Sequence, residues 1–478
     1  MNVVLRWFRW TLLALLPAGT VAAVELETTE VRLCTLSEES IPASVVVSPD
    51  CKRAAFVNQD TSGTWAVLDE VPGKKYTALV AQPLLFSPNS RRLAYVAVTP
   101  QRDKSFVVLD SKEWPAVESV ARTNSLQFSP DSTHLAFWCG QGGHAFLMLD
   151  GAIGKGYLSI GPLAFSPDGR RSAFMAIPRA GKQLLVVNGM PGTEYDGVAG
   201  PVFSPDSQQV AYVCTRNGKQ MAVVGSEEQR SYPGIAMFHS LEPATGEVGG
   251  PERPLFFSPD GKRLVYFGGA SGQWRLVEGQ ASSEEWETMG QPNFSPDSHH
   301  LAYCAGRGDK QYVVYDGTPR EFPGKMVSVG MAFSPDSRRF AHVLVRENGR
   351  ACVVDQGVAG ADYEHIATAE DGKVLLFSPD SAHLTFIAER NFKWSVVRDG
   401  IEDKPYYRVA AAQFSPDSKH LAYQADVGAR RTIVVDGVEA KIKVGDRIIA
   451  GLVWDNANTV STAVARGRSV FRLEVTVQ

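Results

Sequence analysis

The sequence predicts an all-β fold, a β-propeller built from four-stranded antiparallel blades, and three observations carry that expectation. A unit typified by Phe333-Ser334-Pro335-Asp336-Ser337-Arg338-Arg339-Phe340-Ala341-His342 recurs along nearly all of the 478-residue chain. Its opening serines, Ser48, Ser87, Ser129, Ser166, Ser204, Ser258, Ser295, Ser334, Ser378 and Ser415, lie 37 to 54 residues apart and mostly near 40. No helical patterning interrupts the repeats, and a period near 40 residues is that of a four-stranded blade. An eroded eleventh copy reads Val453-Trp454-Asp455-Asn456, with Trp454 taken at the serine position.

Each unit reads as strand, tight turn, strand, loop, strand, hairpin, strand. The first apolar run ends in Phe (Phe86, Phe128, Phe165, Phe203). Ser-Pro-Asp-Ser or Ser-Pro-Asp-Gly then turns the chain, because proline presets the first corner and Asp and Ser bond their own backbone. The second strand is a run such as Leu93-Ala94-Tyr95-Val96-Ala97. A Gly-bearing loop such as Arg216-Asn217-Gly218-Lys219 follows. The third strand ends at Asp-Gly in several copies (Asp150-Gly151, Asp316-Gly317, Asp399-Gly400, Asp436-Gly437). Asp-Gly between apolar runs predicts a type I′ hairpin, whose two corners both need positive φ. A weaker fourth strand is expected to carry an aromatic residue and, three later, an aliphatic one: Tyr195 and Val198, Tyr363 and Ile366, Tyr406 and Val409. The second and third strands are apolar at consecutive positions, as strands buried on both faces are. The small Ala at the centre of Leu-Ala-Tyr lets neighbouring blades approach.

The run Phe-Ser-Pro-Asp-Ser/Gly-x-x-Leu-Ala-Tyr resembles the WD40-like, or PD40, repeat of TolB-type propellers, over about residues 40 to 475. The resemblance implies a propeller serving as an envelope assembly partner. The Trp-Asp pair of true WD40 blades is missing from the third strand, apart from scattered Val-Asp echoes. The small α/β domain that precedes the TolB propeller has no room in this chain.

Taken in order, residues 1 to 23 read as a secretory signal peptide. Arg6 and Arg9 form a basic start, Thr11-Leu12-Leu13-Ala14-Leu15-Leu16 a short apolar core, and Val21-Ala22-Ala23 a small-residue cleavage site. The mature chain is then expected to be periplasmic or extracellular, without a transmembrane segment. Glu30-Val31-Arg32-Leu33-Cys34-Thr35-Leu36 is a lone strand ahead of the first unit. Ser469-Val470-Phe471-Arg472-Leu473-Glu474-Val475 is a third strand with no fourth behind it. The first is expected to close the last blade and so hide two sheet edges. Eleven units exceed the usual four to eight blades. The long interval between Ser204 and Ser258 is rich in Gly and Pro around Leu241 to Pro251. It predicts two rings, units 1–5 over residues 24–240 and units 6–11 over residues 250–478, with one wide ring as the alternative.

The net charge of −4, more acidic still without Arg6 and Arg9, gives no electrostatic support to nucleic-acid binding. Basic pairs such as Arg91-Arg92, Arg170-Arg171 and Arg338-Arg339 fall on one rim. The turn aspartates fall on the same rim, which predicts a mixed-charge solvated surface. His134, His300, His383 and His420 stand at the fifth position after the unit serine. They read as polar turn residues interchangeable with Arg92, Arg171 and Gln209, and not as a metal ring. The six cysteines, at 34, 51, 139, 214, 304 and 352, occupy places that predict buried free thiols, with Cys34 and Cys51 the one pair near enough to meet. No C-x-x-C, G-x-S-x-G or H-E-x-x-H occurs, and Gly151-Ala152-Ile153-Gly154-Lys155-Gly156 lacks the spacing of a phosphate loop. No cofactor, metal or catalytic residue is therefore expected. Loops on the opposite rim vary most in length, so His144, Arg307 and Asp309 are the candidate ligand-face residues. Arg307-Gly308-Asp309 is read as a chance tripeptide. The function expected is a non-catalytic binding or scaffold module for a protein or cell-envelope polymer. The alternative is a propeller lyase or glycoside hydrolase at the mouth of the central channel, with two carboxylates roughly 5–10 Å apart.

Overall fold

A computed structural model describes residues 24–80, 84–120, 125–237, 239–241, 248–252, 254–323, 325–367, 373–428 and 430–478. The leader expected over residues 1–23 lies outside them. Blade 1 sets the pattern: Ser40–Val47, Ala54–Asp60, Gly63–Leu68 and Val71–Pro72 pair in that order from the axis outward. Ten further sheets repeat it, so the chain forms eleven four-stranded antiparallel blades. The Asp-Gly corners adopt positive φ at both residues, 51° and 83° at Asp150 and Gly151, as a type I′ hairpin requires.

The last blade is completed by the N-terminal strand. Leu26–Thr35 lies antiparallel to Ser469–Val477, from Leu26 opposite Val477 to Thr35 opposite Ser469, with a bulge between Arg32 and Cys34. The outer strands elsewhere are short, and Pro72, Pro191 and Pro319 lie in them. A proline on an outer edge withholds a donor and discourages pairing with another sheet.

The core is divided among the interfaces between blades. Ala55, Tyr76, Tyr95 and Val108 pack blade 1 on blade 2. Ala211, Tyr232, Tyr266 and Val277 pack blade 5 on blade 6. Cys34, Phe56, Trp65, Ala463 and Val470 pack blade 11 on blade 1. The alanines of the second strand, Ala94, Ala136, Ala173, Ala211, Ala302, Ala341 and Ala422, are fully buried and keep the sheets close. Fully burying one of the aromatic side chains contributes roughly 1.5–3 kcal/mol.

These clusters form a single circuit. Rings over residues 24–240 and 250–478 would set blade 1 beside blade 5 and blade 6 beside blade 11. The packing instead joins blade 5 to blade 6 and blade 11 to blade 1. The long interval is taken up by an added hairpin, His239–Leu241 with Val248–Glu252, inserted into the inner strand of blade 6, between Gly234–Ile235 and Phe256–Phe257, which both pair with Leu264–Ala270. Turn-forming Gly and Pro mark a reversal equally well inside a hairpin and between domains, which is why composition suggested a junction.

Two finer expectations are corrected. The aromatic and the aliphatic residue assigned to the fourth strand belong to different blades. Tyr195 bridges Gln183 at the end of its outer strand, whereas Val198 opens the first strand of the next blade, Gly197–Phe203. Trp454 stands at the phenylalanine position and not at the serine. It faces Val460 as Phe86 faces Leu93, and Asp455 takes the serine place in a turn one residue shorter. All six cysteines are buried free thiols. Burial pushes the thiols of Cys34, Cys51, Cys139 and Cys214 up to about 11, far from the reactive range.

Candidate functional site

The turn after the first strand fixes what reaches the axis. The buried Ser334 hydroxyl donates to Asp336 Oδ1 at 2.6 Å and accepts from the Arg339 N–H at 2.9 Å. Ser337 takes a left-handed φ of 63°. The Asp336 N–H donates to Ser381 Oγ of the next blade at 2.9 Å. In blade 4 the left-handed residue is Gly169, and a Cβ there would lie 2.2 Å from Asp131 Oδ1. Hydroxyl bonds to the charged form hold these carboxyls below the usual range, Asp131 at about 2.

Where the residue five after the serine is arginine, it ties its blade to the next. Arg339 Nη1 donates to the carbonyls of Ser381 and Ala382, and its Nη2 lies 2.6 Å from Asp355 Oδ2. Its guanidinium covers the Phe377 ring at 5.0 Å. Where the residue is His, Nδ1 sits 2.6–2.7 Å from the hairpin aspartate of its own blade: His134 on Asp150, His300 on Asp316, His383 on Asp399 and His420 on Asp436. The four imidazoles are thus separate structural partners. Among the described residues no group of three or more His, Cys, Asp or Glu is placed to hold a metal ion. The rim cations at this position are committed to hairpin carboxylates and turn carbonyls, which makes the rim mixed in charge.

Inside this frame lies the axial surface. The first strand of every blade is the inner edge of its sheet, so prolines there cost no ladder bond. Pro162, Pro201 and Pro292 stand on this edge and line cavities with the phenylalanines and the turn prolines. One cavity, of about 870 Å3, runs across blades 4 to 7 and is walled by Leu163, Val198, Val202, Phe203, Phe256 and Phe257. A second, of about 440 Å3, continues from Asn293 and Phe294 across blades 8 and 9 to Leu376 and Phe377. Asn293 Nδ2 donates to the Met331 carbonyl, so its amide serves the next blade. The described first strands of the blades carry no Asp or Glu. The carboxylate pair that a lyase or glycoside hydrolase requires is not among them.

The loop residues chosen from sequence stand elsewhere. Arg307 and Asp309 share the hairpin of blade 7, and His144 lies on the corresponding hairpin of blade 3, four blades away. Arg307 is already engaged, with Nη2 2.9 Å from Glu284 and its guanidinium 4.5 Å from the centre of the Trp286 ring. His144 Nδ1 lies 3.1 Å from the Gly142 carbonyl. The axial lining was missed although it left a signal, a proline two or three residues ahead of the unit phenylalanine in consecutive blades.

No family model matches the chain, and no curated protein matches it. Solved structures similar to it include a eukaryotic initiation factor, at 13% identity and TM-score 0.38, covering 81% of this chain and 95% of that one. TolB from Acinetobacter baumannii is similar at 13% identity and TM-score 0.24, over 61% of this chain and 59% of its own. The Swd1 β-propeller domain from Myceliophteria thermophila is similar at 10% identity and TM-score 0.27, over 57% of this chain and 95% of its own. Likeness at this level assigns no function.

Proposed function

We propose that the chain is an exported, non-catalytic propeller that binds a protein or cell-envelope polymer, and that the apolar axial lining of blades 4 to 7 is its contact surface. One observation carries this reading: a contiguous apolar and aromatic cavity of about 870 Å3 on the inner edges of the sheets. Surfaces of this kind on a rigid frame take up apolar groups of a partner. The basic start, short apolar core and small-residue cleavage site of residues 1–23 support export.

The test is capture from envelope extract by the full mature chain, compared with Val202→Glu and Phe256→Glu. Both side chains are only part-buried on the inner edge, so each variant is expected to fold, and a thermal melt of each checks it. A saturable partner captured by the wild type and lost with either charge supports the proposal. A partner retained by both variants, or no saturable partner, counts against it.

A further inference from the structure

A different site is built between blades 3 and 4, and the ring itself supplies the standard for reading it. At the end of an outer strand a tyrosine bridges the third strand of its own blade: Tyr76 with Thr64, Tyr157 with Ala145, Tyr195 with Gln183, Tyr406 with Trp394. The next blade sets one outer-strand residue against it, fixed by register opposite a third-strand valine. That residue is Glu113 opposite Val108, Glu228 opposite Val223, Glu402 opposite Val397 and Glu439 opposite Val434, and it is Ser282 opposite Val277 beside Tyr232. The carboxylate fills the gap between blades. Glu113 Oε1 accepts from the Tyr76 hydroxyl at 2.9 Å and from Lys74 Nζ at 2.7 Å. Glu439 Oε1 accepts in the same way from Tyr406 at 3.4 Å and from Lys404. In both, the lysine stands two residues before the tyrosine, with Nζ 5.5 Å from its ring centre.

Between blades 3 and 4 the donors are present and the acceptor is missing. Lys155 precedes Tyr157 by two residues, with Nζ 5.8 Å from the ring centre. The register position of the glutamate, opposite Val186, is held by Pro191. Tyr157 is 2% exposed, and its buried hydroxyl has no hydrogen-bond partner. A buried hydroxyl left without an acceptor is a free-energy penalty that native proteins seldom retain. A cavity of about 450 Å3 opens beside them, lined by Lys155 and Tyr157, walled by Leu147, Leu149, Phe174 and Val186, and bordered by His134, Arg170 and Arg171.

We propose that this slot binds an external carboxylate in place of the missing glutamate, a small monocarboxylate with an apolar body. Its oxygens accept from Lys155 and Tyr157, and its body lies along the leucine, phenylalanine and valine wall. One lysine and one hydroxyl match a single carboxylate; of the other polar groups on the lining, His134 is held by Asp150 and Arg171 by the carbonyls of Ser207 and Gln208.

The test uses the full mature chain, with hexanoate and phenylacetate as probes, hexanamide as the uncharged control, and titration calorimetry as the readout. The wild type is expected to bind at least one of the two acids saturably and to bind hexanamide at least tenfold more weakly. Tyr157→Phe and Lys155→Gln are each expected to weaken acid binding at least tenfold. Pro191→Glu, which installs the carboxylate of the sister blades, is expected to abolish it. A second measurement needs no ligand: Pro191→Glu is expected to melt above Pro191→Gln. Failure of both acids to bind, equal binding of hexanamide, or acid binding unchanged in Pro191→Glu overturns the proposal. So does a Pro191→Glu variant no more stable than Pro191→Gln, because Lys155 and Tyr157 would then not converge on that position.

Discussion

Arg472, in the last blade, donates from Nη1 to the carbonyl oxygen of Asp50, in the first, at 2.6 Å. The same guanidinium reaches Ser461 Oγ at 2.9 Å, Glu474 Oε1 at 2.8 Å and the Asp455 carboxylate. Five other blades are clipped to the next by an arginine five after the turn serine, Arg53, Arg92, Arg171, Arg263 and Arg339, and the shortened turn at Asp455 has no such residue. Arg472 does that work from the third strand, 4% exposed. Arg472→Ala leaves the Asp455 carboxylate without its buried partner and is expected to lower stability by about 3–5 kcal/mol. Arg472→Lys is expected to recover little, since it lacks the planar fork. Urea unfolding measures both, and a loss below about 1 kcal/mol would show that strand pairing alone closes the ring.

Closure is also expected to depend on acid. Glu30, on the N-terminal strand, lies 2.6 Å from Arg466 and 2.7 Å from Lys443. The bond from Arg466 is the main reason its carboxyl falls from 4.5 to about 2. A folded-state value below the unfolded one stabilises above pH 4.5, and that stabilisation is lost as the pH falls towards 2. Glu30→Gln is expected to flatten this part of the wild-type profile, and the difference between the two unfolding curves measures it. Identical slopes for the two proteins would remove Glu30 from the account.

His342 occupies the core position that holds Tyr95, Phe174 and Tyr303 in other blades. It is buried between the rings of Phe322 and Phe340, and neither ring nitrogen has a hydrogen-bond partner. Burial lowers its pKa from 6.5 to about 4. The imidazole is neutral when folded and takes up a proton on unfolding, so stability declines as the pH drops from 6.5 towards 4. His342→Phe is expected to raise stability by about 1–3 kcal/mol and to remove that decline. Thermal melts across the range check it, and a melting temperature that falls in the variant would contradict it.

The turn serines act one blade at a time. Ser334→Ala leaves the Arg339 N–H and the Asp336 carboxylate without the hydroxyl that joins them. An expected loss of about 1–3 kcal/mol follows from an unmet buried group. Hydrogen exchange should place the loosening at blades 8 and 9, the pair bridged by Asp336 and Ser381. Uniform loosening of the whole ring would contradict this local reading.

The repeat made much of this fold legible. Ser-Pro-Asp, Asp-Gly and consecutive apolar residues are local signals, set by φ preferences and by burial on both faces, and each acts within a few residues. They predict the blade, its turns, the small alanines, the free thiols and the closing strand, expected over Glu30 to Leu36 and found over Leu26–Thr35. The histidines at the fifth position were legible for the same reason, because each answers to an aspartate of its own blade.

Other features were settled only by tertiary structure, because they depend on which residues of different blades meet. The number of rings rests on whether blade 1 packs on blade 5 or on blade 11, and a Gly/Pro-rich interval reads the same in either case. The axial lining exists because inner edges converge, which no single repeat records. The slot at Tyr157 is a relation between Lys155 and Pro191, on opposite sides of an interface. In the sequence each is an ordinary residue, and only the register against Val186 shows that a glutamate is wanting between them.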